Sequence, residues 1–225
     1  MYIQITTRCN MSCAHCCYNC TKEGSDMSLA TYRAALKLCE EWGDTPFIGG
    51  GEPTLHPKFT EFLCEAMGAC ETDMVPGLVT NGSIKQRAML IHKLTAAGVV
   101  DGTLSLDEFH DPIDPEVVKA FKTLKANGRN YAIRDNTQGG TREVLPQGRA
   151  IEHLGLDGED DDETIQSIME GECLCDSLMV KPNGDIHQCG CDDSPKVGTT
   201  RKGFHTPSTN MCYRSQDFRG NTATL

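Results

Sequence analysis

Tyr2-Ile3-Gln4-Ile5-Thr6-Thr7-Arg8-Cys9-Asn10-Met11-Ser12-Cys13-Ala14-His15-Cys16 sets the reading of the whole chain. Tyr2 to Thr6 reads as a first strand, and a C-x₃-C-x₂-C loop follows it directly. Three thiolates on one short loop can ligate three irons of a cubane and leave the fourth iron with an open position. A closed zinc site would take a fourth ligand, which Cys17, Cys20 or His15 offers, so the spacing alone leaves both chemistries open.

Outward from that loop, short apolar runs alternate with helical patterns up to about Asn136, as in a parallel βα array. A helix is predicted from the Ser28 cap to Gly43, with Leu29, Tyr32, Leu36 and Cys39 at helical spacing. Pro46 to Gly49 reads as a strand, Pro57 onward as a helix, Met74 to Thr80 as a strand and Ile84 to Ala97 as a helix. Gly102 to Leu106 is a further strand, followed by a helix from Asp114, with Pro115 at its first position, to Asn127. Tyr131 to Arg134 is the fifth strand. The fold class predicted is α/β, a partial TIM-like (β/α) barrel of five or six units, with a small cysteine-rich hairpin domain behind it. Residues 1–150 form the barrel, 151–170 an acidic linker and 171–225 the appendage. The hairpin spans Leu178 to Cys189 around a Pro182-Asn183-Gly184-Asp185 turn. Cys39 and Cys64 are expected to be small buried hydrophobes, and Trp42 to pack at the end of the first helix.

Composition narrows the function classes. The 225 residues, 38% of them hydrophobic, suffice for one sizeable domain. No run approaches the roughly 18–20 apolar residues that cross a bilayer, and nothing resembles an export signal, so a cytoplasmic location without a membrane partner is expected. Thirteen cysteines without such a signal favour metal or cluster binding over a disulfide scaffold. A net charge of −11 disfavours clamping a long nucleic acid.

With the loop and Gly49-Gly50-Gly51-Glu52-Pro53 both in view, the sequence resembles the radical S-adenosylmethionine enzymes, whose cluster loop follows the first strand and whose GGEP segment ends the second. The resemblance implies a [4Fe–4S] cluster on Cys9, Cys13 and Cys16, with S-adenosylmethionine on its open iron. Its reductive cleavage would give a 5′-deoxyadenosyl radical that abstracts hydrogen from a substrate. An external one-electron donor, flavodoxin- or ferredoxin-like, is implied as partner. Gly50 and Gly51 suit close approach to the cofactor, and Glu52 would accept from the methionine ammonium. His15 is expected near the adenine, as packing.

The ends of the later strands supply further candidates, since the carboxyl ends of parallel strands gather at one mouth. Asn81 and Ser105 are assigned to the ribose or methionine portion of the cofactor, and Arg134 to a carboxylate or phosphate. Asp107 and His110 are candidates for substrate-side acid or base. In the tail, C-x₈-G-x₄-C from Cys175 through Gly184 to Cys189 is similar to the opening of the SPASM and Twitch extensions, which carry auxiliary iron–sulfur clusters. Pro146-Gln147-Gly148-Arg149-Ala150 is similar to the end of the catalytic domain in such proteins. Only Cys212 follows Cys191, so a shortened domain is expected, with one auxiliary cluster drawn from Cys173, Cys175, Cys189, Cys191 and Cys212, or zinc in their place.

Three functions are weighed. The first is hydrogen abstraction from a peptide or small molecule, which the Twitch-like tail favours. The second is radical modification of a nucleoside, nucleotide or nucleic-acid base. The third, an electron carrier or zinc module without catalysis, is disfavoured by Gly50-Gly51-Glu52, because a carrier needs no methionine-binding strand end.

Overall fold

The computed structural model describes residues 1–70, 74–126, 133–135, 148–154, 178–191 and 194–204. Five βα repeats open it: β1 (Tyr2–Thr6), α1 (Leu29–Trp42), β2 (Phe47–Gly50), α2 (Phe59–Ala69), β3 (Gly77–Thr80), α3 (Lys85–Ala96), β4 (Asp101–Leu106), α4 (Pro115–Ala126), β5 (Ile133–Asp135) and α5 (Arg149–Leu154). The tail adds β6 (Met179–Val180), β7 (Asp185–His187), β8 (Lys196–Thr199) and β9 (Gly203–Phe204). One sheet runs through all nine strands in the order β5-β4-β3-β2-β1-β6-β7-β8-β9. The pairs from β5 to β6 are parallel, and the last three are antiparallel. The partial α/β barrel is therefore present.

Local chemistry accounts for the elements. Ser28 caps α1 by accepting from Thr31 N at 3.1 Å, and Gly43 closes it at φ 62°. Asp114 Oδ1 accepts from Glu116 N at 2.8 Å where α4 starts. The strand expected from Met74 begins at Gly77 instead, because Pro76 carries no N–H for the ladder. Ile3, Ile48 and Leu78 lie side by side in register beneath the helices, all fully buried, with Tyr32, Phe59, Phe62, Ile91 and Phe121 above them. Each such side chain contributes about 1.5–3 kcal/mol. Tyr32 stacks on Phe62 at 4.1 Å, and its hydroxyl donates to Phe62 O at 3.0 Å.

Two expectations need correction. Cys39 is buried, but Cys64 is exposed, since α2 turns Phe59, Phe62, Leu63 and Ala66 inward and leaves position 64 on the outer face. Trp42 packs at the end of α1, as expected, against Phe204 of β9 with ring centroids 4.8 Å apart, and is 49% exposed. The hairpin does not stand behind the barrel: β6 pairs with β1 (Tyr2↔Met179, Ile3↔Val180), so the sheet passes unbroken into the tail.

Candidate active site at the carboxyl ends of the strands

The cysteine loop leaves β1 and returns beside it. Thr7 N donates to Ser25 O at 2.9 Å, Cys9 N to Thr21 O at 2.8 Å, and Met27 N to Ile5 O at 2.8 Å. Arg8 clamps the return through a two-pronged pair with Asp26, at 3.0 and 2.7 Å, and reaches Leu55 O at 3.2 Å. Inside this frame Cys9, Met11, Cys13 and Cys20 are buried together, with Cys16, Tyr18, Phe109 and Ile113 packed against them. Burial raises the Cys9 and Cys13 thiols, the latter to about 11. A hydrogen bond from the Cys20 thiol lowers Cys16 to about 5, and the same bond holds Cys20 protonated.

The end of β2 is pressed onto this loop. Gly51 N donates to Thr6 O at 2.9 Å and Glu52 N to Arg8 O at 2.8 Å. A Cβ on Gly51 would lie 2.3 Å from Arg8 O and 3.0 Å from Cys9 Cβ, and one on Gly50, at φ 149°, would lie 2.3 Å from Thr6 O. The glycines are thus required by the approach of two backbones, Gly50 on Thr6 and Gly51 on Arg8 and Cys9.

Glu52 stands just after β2, as expected, and its carboxylate carries bonds within the protein that the sequence did not announce. Its carboxylate is fully buried and accepts from Thr54 N at 3.0 Å, from Thr54 Oγ1, from Thr80 Oγ1 at 2.7 Å and from Asn81 N at 2.6 Å. Burial raises its pKa, and those donors oppose the rise. The carboxylate ties the end of β2 to that of β3. Asn81 is carried with it, and its Nδ2 donates to Asn10 Oδ1 at 3.2 Å and lies 4.0 Å from Cys9 Sγ.

Beyond β4, Asp107 is 4% exposed and accepts from Phe109 N at 3.0 Å, His110 Nδ1 at 2.6 Å and His15 Nε2 at 3.3 Å. Burial works to raise this carboxyl, but the His110 hydrogen bond and the two imidazoles bring it below the ordinary aspartate range. His15 packs on Phe109 at 4.8 Å. Sequence reasoning missed the His15–Asp107 contact, which no local signal announces. Ser105 stands in register with Arg134 at the ends of β4 and β5.

Among the described residues, the one group of three or more metal-ligand side chains whose donor atoms lie within 4.8 Å of one another is His15, Asp107 and His110. The three loop thiols do not close to that distance. A tetrahedral single-ion cage would bring them closer, whereas a polynuclear cluster holds its cysteines on separate irons. With three thiols gathered on one loop and a glycine strand end against Cys9, the donor set fits a cluster.

Two later segments also reach the loop. Gly148, at φ 55°, is seated where a Cβ would lie 2.5 Å from Cys16 O, and Arg149 N donates to that oxygen at 3.0 Å. A Cβ on Gly190 would lie 3.4 Å from Tyr18 Oη, so the turn carrying Cys189 and Cys191 rests against the cysteine loop. Both tail thiols are buried, and their mutual hydrogen bond raises Cys189. Cys173, Cys175 and Cys212 lie outside the described residues.

The family model described as Radical SAM superfamily matches residues 3–170. The chain is 28% identical over 138 residues to the putative peptide biosynthesis protein YydG of Bacillus subtilis, covering 57% of this chain and 41% of that protein. It is 36% identical over 107 residues to the probable GTP 3′,8-cyclase of Methanopyrus kandleri, covering 47% of this chain and 33% of that protein. The matches thus span less than half the length of these relatives. Among solved structures, BtrN in complex with AdoMet and 2-DOIA superposes with TM-score 0.60 at 15% identity, over 89% of this chain and 77% of that one. Native anSMEcpe with bound AdoMet and Cp18Cys peptide gives TM-score 0.51 at 15% identity, over 90% and 77%. At such identity these two likenesses speak to the fold.

Proposed function

From the premise that the chain belongs to the radical SAM superfamily, which works with a [4Fe–4S] cluster and S-adenosylmethionine, we propose that Cys9, Cys13 and Cys16 hold that cluster and that the chain abstracts hydrogen from a peptide or small-molecule substrate. The observation that carries this is the set of three loop thiols gathered at the end of β1, with Gly51 packed onto Arg8 and Cys9. When bound, and given one electron from outside, the pair of cofactors would supply a 5′-deoxyadenosyl radical and leave methionine.

The chain's own residues bind, orient and shield. Met11, Phe109 and Ile113 pack over the thiols and keep water from them. The Arg8–Asp26 clamp fixes the loop, and the Glu52 bonds to Thr80 and Asn81 fix the strand ends around it. The backbone at Gly50 and Gly51, Asn81 after β3, Ser105 on β4 and Arg134 on β5 are assigned to cofactor contact. His110 and Asp107 form a hydrogen-bonded pair at the mouth suited to holding a substrate proton. An external flavodoxin- or ferredoxin-like donor would supply the electron. In the tail, Cys189 and Cys191 would join Cys173, Cys175 or Cys212 around an auxiliary cluster.

A peptide substrate is favoured by the relative YydG, named for peptide biosynthesis. A nucleotide is the second reading, favoured by the GTP 3′,8-cyclase relative. No helix among the described residues is long and apolar enough to cross a membrane.

The test is anaerobic reconstitution with iron and sulfide, followed by a count of iron and an assay for reductant-dependent 5′-deoxyadenosine. Formation of 5′-deoxyadenosine by the wild type, and its loss in Cys13→Ala, is expected. Turnover retained in Cys13→Ala would remove that residue from the cluster. Stimulation by candidate peptides rather than by GTP decides between the two substrates.

A further inference from the structure

We infer that Tyr2 is a positioning residue for S-adenosylmethionine, its phenol oxygen holding the Gly50 amide so that the strand end assigned to the cofactor is set before the ligand arrives. The inference rests on Gly50 and Gly51 being the cofactor contact proposed above.

Three successive amides of this strand end donate into the protein: Gly50 N to Tyr2 Oη at 2.8 Å, Gly51 N to Thr6 O at 2.9 Å and Glu52 N to Arg8 O at 2.8 Å. The last two bonds join backbone to backbone and come with the pairing of the chain. The first does not. The register of β1 on β2 shifts between Gln4 and Thr6, opposite Gly49 and Gly50, and there a side chain from the start of β1 takes the Gly50 amide.

Tyr2 stands opposite Phe47, so its side chain must run along β2 to reach Gly50. It does so across Gly49, where it leaves no room for a Cβ. The ring is held in that pose by stacking with Phe47 of β2 and with Tyr18 of the cysteine loop, the centroids lying 5.9 Å apart in each case. A phenylalanine would fill the same space, so packing alone leaves the hydroxyl unexplained. Its use is at Gly50. The Tyr2 bond fixes the peptide plane before Gly50 and the Thr6 bond fixes the plane after it, and together they set a residue at φ 149° that has no side chain to hold it. A glycine left unset would have to be ordered when the ligand binds, and that ordering costs affinity.

The experiment compares Tyr2→Phe with Tyr32→Phe, anaerobically and on the full chain. Each removes one phenol hydroxyl bonded to the backbone, that of Tyr32 donating to Phe62 O at 3.0 Å in the helix layer. Hydrogen exchange of the apoprotein over residues 47–52 is read by mass spectrometry, and S-adenosylmethionine binding to the reconstituted protein by equilibrium dialysis. Tyr2→Phe should speed exchange in that segment and weaken binding by roughly tenfold, with iron content at the wild-type level. Tyr32→Phe should leave both readings unchanged. Exchange or binding unaltered in Tyr2→Phe overturns the inference, and so does an equal loss of affinity in Tyr32→Phe, which would mark a general softening of the fold. Loss of iron from Tyr2→Phe overturns it as well, by making the hydroxyl a support of the cysteine loop rather than of the strand end. A wild type that takes up iron yet binds no S-adenosylmethionine would instead bring down the cofactor reading of Gly50 and Gly51, and the inference with it.

Discussion

Replacing Glu52 with alanine separates two ways of reading the strand end. If the carboxylate contacted only a ligand, its loss would cost cofactor affinity and leave the apoprotein unaffected. In the structure it is the acceptor for two backbone amides, Thr54 N and Asn81 N, and for the hydroxyls of Thr54 and Thr80. The hydroxyls can rotate to other acceptors, but the two buried amides cannot. Each buried donor left unsatisfied costs about 1–3 kcal/mol. Removing the buried carboxylate also removes its desolvation penalty, which offsets part of that sum. A net loss of about 3 kcal/mol corresponds to a melting temperature lower by about 6–12 °C in a chain of this size. The assay is thermal unfolding of the anaerobic apoprotein by circular dichroism, beside S-adenosylmethionine binding to the reconstituted protein by equilibrium dialysis. A variant that melts within about 2 °C of the wild type yet fails to bind S-adenosylmethionine would refute the bracing role.

Other perturbations probe the same framework. Gly51→Ala drives a Cβ into Arg8 O and Cys9 Cβ, so it should destabilise by about 1–3 kcal/mol and lower iron uptake on reconstitution, read by iron analysis. Ser28→Ala removes the exposed α1 cap, whose hydroxyl bonds to Thr31, and should cost about 0.5–2 kcal/mol in urea unfolding with iron uptake unchanged. The Asp26 pKa is lowered: burial opposes the shift, and the hydrogen bonds from Arg8 and Thr6 outweigh it. Its folded-state pKa is below its unfolded one, so its contribution is present above about pH 4 and is lost as pH falls through the folded value. Asp26→Asn should therefore flatten the acid side of the stability profile, seen as a smaller difference in melting temperature between neutral and mildly acidic buffer.

What the sequence made legible is what local chemistry dictates. The Ser28 cap, the Gly43 stop and the turn at Gly184 each depend on residues within a few positions, and each stands where it was expected. The alternation of apolar runs and helical patterns was enough for the parallel order of β1 to β5. Long-range polar pairing was not legible. Glu52 is claimed by Thr80 and Asn81, which lie 28 and 29 residues away, and nothing in Gly-Gly-Glu-Pro says that their donors lack another acceptor. The place of the hairpin was hidden for another reason. A strand of two residues, Met179–Val180, has no periodicity to read, and only the open edge of β1 explains where it pairs.

These contacts make the cysteine loop the meeting point of the fold. The end of β2 touches it through Gly51, that of β3 through Asn81, and the turn after β4 through Asp107 on His15. Gly148 and Arg149 close on Cys16, and the tail reaches Tyr18 at Gly190. A zinc knuckle could stand on a single hairpin and would need none of this, because its ligands satisfy the ion by themselves. A loop held from five directions, with thiols that do not close on one ion, is organised instead to fix a larger group against several strand ends at once. In a parallel array those ends converge, so each strand can place one polar contact on the same ligand, and the glycines at β2 keep the nearest of them free of side chains.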